Sequence, residues 1–207
     1  MKKFRAGMLV ILGAFAVLAL SAVPSRAAIF SDNFDTEHGG VGILNYSSFA
    51  NWTVLPSGTV DLIGNGFYDF YPGNGLYVDL DGSTNSAGTM ISKAISLGPG
   101  LYELKFQLGG SQRGDTNTAN VLVTYGGIAS QTYTLGSGAA LTWYTLKFTV
   151  ASATNANIIF NHLGGDNIGL ILDNVELNAV PLPGTMLLLG SGLVGLVGLR
   201  RRGARKA

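Results

Sequence analysis

The chain has 207 residues, enough for one ordinary domain together with short targeting segments. It contains no cysteine, which excludes disulfides and thiolate metal sites, and its 30 glycines with only 12% charged residues favour short strands joined by turns. Residues 28–180 carry four basic and twelve acidic side chains, and this net charge of −8 argues against nucleic acid as a partner.

The first 27 residues have the pattern of a secretory signal peptide. A start with three basic residues precedes an apolar run at 6–20, and Ser25-Arg26-Ala27 gives the small-x-small pattern that signal peptidase recognises. The apolar run is short and a cleavage site follows it, which favours removal after Ala27 over an uncleaved anchor. The sequence therefore predicts export.

Residues 28–179 predict an all-β domain of about ten short strands separated by Gly, Asn, Ser and Asp turns. Alternation of apolar and polar residues is clear in Tyr102–Leu108 and Tyr144–Val150. Regular spacing without a convincing helix is typical of a β-sandwich. The candidate strands read WTVL, GTVDLIG, LYVDLDG, TMISKAISL, LYELKFQLGG, ANVLVTYGG, QTYTL, WYTLKFTV, ANIIFNHL and IGLILDNVEL.

The segment GNGFYDFYPGNG, residues 64–75, is a glycine-flanked loop dense in aromatic rings. Exposed rings stack on the faces of sugars, so Tyr68, Phe70 and Tyr71 are candidate ligand-binding residues. Trp52 and Trp143 begin predicted strands, where a tryptophan more often packs in the core, and we expect both to be structural.

No catalytic constellation is present in the sequence. His38 and His162 are the two histidines, and there is no HExxH, no GxSxG and no glycine-rich loop opening a helix. His162 ends a predicted strand, where we expect a packed residue. A glycan hydrolase that uses two carboxylates, such as Asp61 and Asp79, stays an alternative, because sequence does not give their separation.

Two acidic segments bear on calcium. DLDGSTNSAG, from Asp79, fails as an EF-hand loop because Gly82 is fourth and Met90 is twelfth, where glycine at the sixth and glutamate at the twelfth position are required. In IGLILDNVEL, strand alternation places Asp173 on one face with Ile171, Val175 and Leu177. A carboxylate among apolar neighbours needs hydrogen bonds or a cation, and both remain open.

The last segment, residues 180–207, has the order of a membrane sorting segment. Pro181-Leu182-Pro183-Gly184 precedes fifteen apolar or small residues at 185–199, about 22 Å as a helix, and Arg200-Arg201-Arg202 would stay in the cytoplasm. This predicts a single transmembrane helix, although it is shorter than the ~30 Å hydrocarbon core. A plain anchor and a cleavable sorting signal are both consistent with the pattern.

These prolines, the glycine-rich apolar run and the arginines resemble the PEP-CTERM sorting signal of Gram-negative bacteria, over about the last 27 residues. The resemblance implies processing by exosortase, a membrane cysteine protease or transpeptidase. Leu182 stands where the family usually has glutamate. Leu182-Pro183-Gly184-Thr185 also resembles a sortase signal, but Met186 replaces the required glycine, which argues against sortase.

The body also resembles a family, through NFDTE, NWTV, PGNGLYVDLDGST, LGPGLYELKFQLGG and GLILDNVEL in this order. The segments are similar to galactose-binding-like jelly rolls and to the choice-of-anchor modules found ahead of PEP-CTERM tails. This resemblance implies a fold like that of carbohydrate-binding modules. It also implies a structural Ca²⁺ between the opening and closing segments, held by Asp35 and Asp173.

Taken together, the sequence predicts a signal peptide at 1–27, a β-sandwich at 28–179 and a sorting signal at 180–207. The expected function is that of an exported, noncatalytic surface or matrix protein that associates with extracellular polysaccharide, with a true glycan-binding module or a glycan hydrolase as alternatives. Expected partners are signal peptidase and exosortase. The C-terminal helix is expected to tether the protein to the inner membrane before processing delivers it to the surface or matrix.

Overall fold

The computed structural model describes residues 28–181. The predicted signal peptide, its cleavage site after Ala27, the apolar helix and the arginine cluster at 200–202 lie outside the described residues. Within 28–181, no helix is long and apolar enough to span a membrane. We call residues 28–181 the sandwich fragment.

The sandwich fragment forms one 3₁₀ helix, Glu37–Gly40, and thirteen strands, which confirms the predicted all-β class. The strands are β1 (Phe30–Asp32), β2 (Trp52–Val54), β3 (Asp61–Gly64), β4 (Leu76–Asp79), β5 (Thr89–Ser92), β6 (Ile95–Leu97), β7 (Gly100–Gly109), β8 (Thr116–Val123), β9 (Ala129–Gly136), β10 (Thr142–Val150), β11 (Thr154–Ala156), β12 (Ile158–His162) and β13 (Ile171–Val180).

Eleven of these strands build two antiparallel sheets. One sheet has the order β10-β7-β13-β4-β3, with β1 also paired to β13, and the other has the order β2-β5-β12-β8-β9. The short strands β6 and β11 form a separate ribbon. The chain passes repeatedly from one sheet to the other, as from β4 to β5 and from β12 to β13, which is the connectivity of a β-sandwich.

The inner faces of the two sheets share one hydrophobic core. The predicted alternation in β7 is confirmed, because Tyr102, Leu104, Phe106 and Leu108 are all buried. Phe106 lies at the centre, with ring centroids 5.3 Å from Phe160 of the opposite sheet, in an edge-to-face contact. Interdigitation of large rings from both inner faces holds the sheets together.

Two predictions about individual segments need correction. The predicted strand at 89–97 is two strands, because Lys93 and Ala94 are exposed between β5, which joins the second sheet, and β6, which pairs with β11. Trp52 is buried as expected, but Trp143 is 48% exposed. Tyr144, Leu146 and Phe148 pack into the core, so alternation along β10 places Trp143 on the other face.

A second, smaller cluster lies on the outer face of the first sheet. Its buried members are Ile63 of β3, Tyr77 of β4 and Ile171 of β13. The segment at 65–75, which we call the aromatic loop, packs Phe67, Phe70 and Tyr71 against them. We call this the outer cluster. It fixes the loop at 65–75 onto the sheet, so the loop has a defined surface rather than projecting into solvent.

Candidate functional site

The aromatic loop begins with a tight turn at Asn65-Gly66. Both residues have positive φ, 51° and 85°, and Gly64 and Phe67 exchange backbone hydrogen bonds of 2.8 and 2.9 Å. Asn-Gly is the preferred pair for this kind of two-residue turn, because both residues tolerate the left-handed region. The turn brings Phe67 back onto the sheet and leaves the next residue, Tyr68, at the surface.

The three aromatic candidates occupy different positions. Tyr68 is 57% exposed, with its ring edge-to-face against Phe67 at 4.9 Å. Phe70 is half-buried, and the Arg113 guanidinium lies 5.2 Å from its ring centroid, a cation–π contact. The Tyr71 hydroxyl lies 2.7 Å from the carbonyl oxygens of Gly110 and Ala139, so it ties the loop to neighbouring segments.

Tyr68 and Phe70 line a cavity of about 210 Å³ at the edge of the first sheet. We call it the aromatic–acid cavity, because its polar wall is formed by Asp61, Asp79, Ser83 and Arg113. Tyr71 is not among its lining residues. The volume is below the roughly 300–1,000 Å³ of sites for drug-sized ligands, so the cavity has room for about one sugar ring.

The two acids of the hydrolase alternative meet in this cavity. Asp61 and Asp79 lie directly opposite each other in the antiparallel pair of β3 and β4. Asp79 is 2% exposed, and Arg113 donates a hydrogen bond to its Oδ2. Burial nevertheless raises the pKa of Asp79 to about 7, because desolvation outweighs the attraction of Arg113 while the charges of Asp61 and Asp81 add repulsion.

Asp61 is held by neutral donors. The backbone N–H of Asn45 donates to Asp61 Oδ1 at 2.6 Å. The backbone N–H of Ser83 donates to the same oxygen at 3.1 Å, and the Ser83 hydroxyl donates to Oδ2 at 2.7 Å. Asp61 makes no ion pair among the described residues. These bonds fix the carboxylate in place but leave its charge without a cationic partner.

A buried polar contact holds the loop that contributes Asn167 to the cavity lining. Asp81 Oδ2 accepts the Gly165 amide at 2.7 Å and lies 3.7 Å from His162 Nδ1, with both side chains fully buried. Burial lowers the pKa of His162 to about 4, so the ring is neutral, and the prediction of a packed strand-end histidine is confirmed. The loop held in this way carries Asn167, whose carbonyl accepts a 2.8 Å bond from Arg113.

Three polar lining residues were not identified from the sequence: Ser83, Arg113 and Asn167. Ser83 and Asn167 are common turn residues and give no signal of their own. Arg113 offers a weak signal, because it is one of four basic residues in an acidic body and lies in the glycine-rich segment GGSQRGD. Its partner could not be read from the sequence, since Asp79 is 34 positions away.

The two acids predicted to hold calcium lie together at a second place in the fold. On one edge of β13, β4 pairs with Ile171 and Leu172, and β1 pairs with Val175 to Leu177. Asp173 lies in the gap between β4 and β1. There Asp35 Oδ1 accepts the Leu76 amide at 2.9 Å, so the opening segment reaches the same gap.

The predicted face of Asp173 is wrong. Between Asp173 and Glu176, β13 has one more residue than the β7 segment that it pairs with, and Asn174 has a positive φ of 46°. This bulge switches the faces: Ile171 belongs to the outer cluster, whereas Val175 belongs to the main core. The four residues predicted to share one face therefore do not.

Asp173 is fully buried, and both of its oxygens accept bonds from Asn174, at 2.7 Å from the backbone amide and 2.9 Å from the side chain. Burial raises its pKa to about 7, and repulsion from Asp35 and Asp32 adds to the effect. We call Asp32, Asp35 and Asp173 the β13 acid cluster. A fully buried carboxylate that two others repel, with no ion pair among the described residues, is a setting that a divalent cation would stabilise.

The donor chemistry fits Ca²⁺, which prefers carboxylate and carbonyl oxygens. Gly75 closes over Asp35, since a Cβ there would lie 1.9 Å from Asp35 Oδ1. In residues 28–181, however, no three His, Cys, Asp or Glu side chains are arranged to hold a metal ion. Asp35 and Asp173 would therefore hold an ion only with backbone carbonyl or water oxygens completing its shell.

Residues 179–202 match the PEP-CTERM protein-sorting motif. This confirms the predicted resemblance of the C-terminal segment to that sorting signal, and the matched range includes Pro181, Leu182, Pro183, Gly184 and the arginines at 200–202. The motif implies export and sorting to the cell surface in Gram-negative bacteria, with processing by exosortase. No curated protein matches the chain.

The solved structures similar to the chain include sandwich domains of adhesins, carbohydrate-binding modules and parts of glycoside hydrolases. An adhesin domain of Lys-gingipain from Porphyromonas gingivalis has 19% identity and a TM-score of 0.49, over 73% of this chain and 97% of that one. A carbohydrate-binding module of Cellvibrio mixtus lichenase 5A, in complex with cellotriose, has 12% identity and a TM-score of 0.41, over 75% and 100%.

An exo-β-1,3-galactanase from Phanerochaete chrysosporium, with galactose, has 18% identity and a TM-score of 0.42, and the match covers 67% of this chain and 29% of that one. At identities below 20% and TM-scores below 0.5, no ligand or activity transfers to this chain.

Proposed function

We propose that this protein is an exported, noncatalytic surface or matrix component that exosortase sorts and that binds extracellular polysaccharide in the aromatic–acid cavity. The observation that carries the binding site is the exposed ring of Tyr68 beside fixed carboxylate and guanidinium groups, in a cavity of about one ring's volume. Sugar sites combine an aromatic face for the ring with a few placed polar groups for the hydroxyls.

The N-terminal segment is proposed to be a signal peptide that signal peptidase removes after Ala27. The apolar tail is proposed to tether the protein to the inner membrane until exosortase acts near 181–183. The sorting motif at 179–202 supports this order of events, because it places the prolines ahead of the apolar run and the arginines behind it.

A glycan hydrolase is the second candidate, because Asp61 and Asp79 face each other in the same cavity. Their present contacts support a binding role instead. Asp61 and Asp79 are 6% and 2% exposed, Asp79 is paired with Arg113, and Asp61 Oδ2 accepts one bond, from Ser83, which leaves it one further acceptor site. Hydrolysis needs both carboxylates at the glycosidic bond, so Asp79 would have to leave Arg113 first, whereas binding can use Asp61 as it stands.

We further propose that Ca²⁺ stabilises the β13 acid cluster through Asp35 and Asp173. Its role would be structural: neutralising the carboxylates where the opening and closing segments meet. The buried position of Asp173 next to two other acids supports this, and hydrogen bonding from Asn174 without a metal is the competing account.

A glycan array with the sandwich fragment tests binding, and a turnover assay on each bound glycan tests hydrolysis. We expect binding without product release, and a roughly tenfold loss of affinity in Tyr68→Ala through loss of ring stacking. Tyr125→Ala is the matched control. Tyr125 is 69% exposed and has a φ of 51°, close to the 46° of Tyr68, but it lies outside the cavity. Product formation that Asp61→Asn abolishes would replace the binding function by the hydrolase.

A further inference from the structure

The charges in the aromatic–acid cavity do not balance. Asp61 and Asp79 line the cavity, and Asp81 lies two residues beyond Asp79. Arg113 is the one cationic residue among those lining it. With both lining carboxylates ionised, the cavity has one more negative than positive charge, and Asp61 is the carboxylate that Arg113 does not contact.

The charge of Arg113 is already compensated by Asp79, and two of its five N–H donors are in use. One of its terminal nitrogens donates to Asp79 Oδ2, the other donates to the Asn167 carbonyl at 2.8 Å, and its guanidinium carbon lies 5.2 Å from the ring centroid of Phe70. An anionic sugar that used the remaining donors of this guanidinium would lie next to the carboxylates of Asp79 and Asp61. The charge of Asp61, which receives only neutral donors, would meanwhile repel the anion.

The same arrangement suits a cation. An ammonium group carries three donors and no acceptor, and it matches a fixed carboxylate that has no cationic partner. The exposed ring of Tyr68 adds a surface that attracts cations as well as sugar faces. The volume of about 210 Å³ favours a ring with a small substituent over one with a bulky acyl group.

We propose that the aromatic–acid cavity selects a sugar residue with a free, protonated amine, a hexosamine without its N-acetyl group. The ring lies against Tyr68 and the ammonium group points toward Asp61. This inference rests on the proposed polysaccharide binding and specifies its ligand class. N-acetylation removes the charge and enlarges the substituent, and a uronic acid reverses the charge, so both changes weaken binding.

Calorimetric titration of the sandwich fragment tests the proposal with four trisaccharides. Each consists of one kind of sugar: glucosamine, N-acetylglucosamine, glucose or galacturonic acid. We expect the glucosamine trisaccharide to bind tightest, by roughly 10- to 100-fold over the N-acetylated one, the range that a charge-assisted hydrogen bond contributes. The preference should shrink as salt is added, because it is electrostatic.

Asp61→Asn should reduce the glucosamine preference to near one, while Tyr68→Ala weakens every sugar and Tyr125→Ala weakens none. The comparison of amine with acetylated amine changes the ligand alone, so it stays decisive if Asp61→Asn does not fold. Titrations with EDTA and with Ca²⁺ identify a metal competitor, and displacement of glucosamine by equimolar Ca²⁺ would assign the cavity to a metal ion and overturn the proposal.

The outcomes separate the two proposals. Tyr68-dependent binding of glucose or N-acetylglucosamine as tight as that of glucosamine overturns the amine selectivity and leaves polysaccharide binding standing. Absence of binding to all four sugars, together with a negative glycan array, overturns both.

Discussion

Asp173→Asn in the sandwich fragment is the sharpest test of the β13 acid cluster. Asp173 is fully buried, Asn174 supplies its hydrogen bonds, and the charges of Asp35 and Asp32 already disfavour its ionised form. Asparagine keeps the shape of the side chain and removes the charge. The substitution therefore separates a metal ligand from a hydrogen-bonded structural acid.

The magnitude follows from linkage, because an ion that binds only the folded state stabilises it. At a hundredfold excess of Ca²⁺ over its dissociation constant, the gain is about 2.7 kcal/mol. In a domain of about 150 residues, each kcal/mol shifts Tm by about 2–4 °C, so Ca²⁺ should raise Tm by about 5–11 °C. Without Ca²⁺ the variant relieves repulsion with Asp35 and Asp32 but loses one of the two bonds accepted from Asn174, because its new NH2 group donates, so its stability should stay within about 1–3 kcal/mol of the wild type.

Differential scanning calorimetry with EDTA and then with excess Ca²⁺ measures both states. The wild-type fragment should lose Tm in EDTA and regain it with Ca²⁺, and the Asp173→Asn curve should not move. Asp166→Asn, an exposed acid in another loop, should respond like the wild type. A wild-type Tm indifferent to chelator and Ca²⁺ would refute the ion and leave Asp173 as a structural acid held by Asn174.

Four further outcomes follow from the sequence and the packing. Circular dichroism of the sandwich fragment should be almost purely β, and substantial helix would refute the fold. Intact-mass measurement of surface-extracted protein should show loss of the residues beyond about 181–183, whereas recovery of the full tail would reduce it to an anchor. Because burial raises the pKa of Asp79 to about 7, its share of stability is present below its unfolded pKa and lost as pH rises through 7, so urea titrations should show falling stability from pH 5 to 8, less so in Asp79→Asn. Gly164→Ala should destabilise by about 1–3 kcal/mol, because its Cβ would lie 2.3 Å from Asp81 Oδ2, whereas Gly138→Ala, with no atom within 4 Å, should not.

The sequence alone determined the parts of the fold that depend on local periodicity. Alternation in β7 placed Tyr102, Leu104 and Phe106 in the core, and the structure buries all three. A side chain's face within a regular strand depends only on its neighbours along the chain, so it can be read from the pattern. The sorting motif was readable for the same reason, because its prolines, apolar run and arginines are contiguous.

The tertiary structure decided what depends on pairing between distant segments. The bulge at Asn174 breaks the period that placed Asp173 and Val175 on one face, and its position is set by register against β7. The cavity joins Asp61, Asp79 and Arg113 from separate strands and loops, and the sequence identified the two acids without showing that they face each other. Register and loop docking are fixed by packing across the whole sandwich, and a linear pattern carries no record of which distant residues will meet.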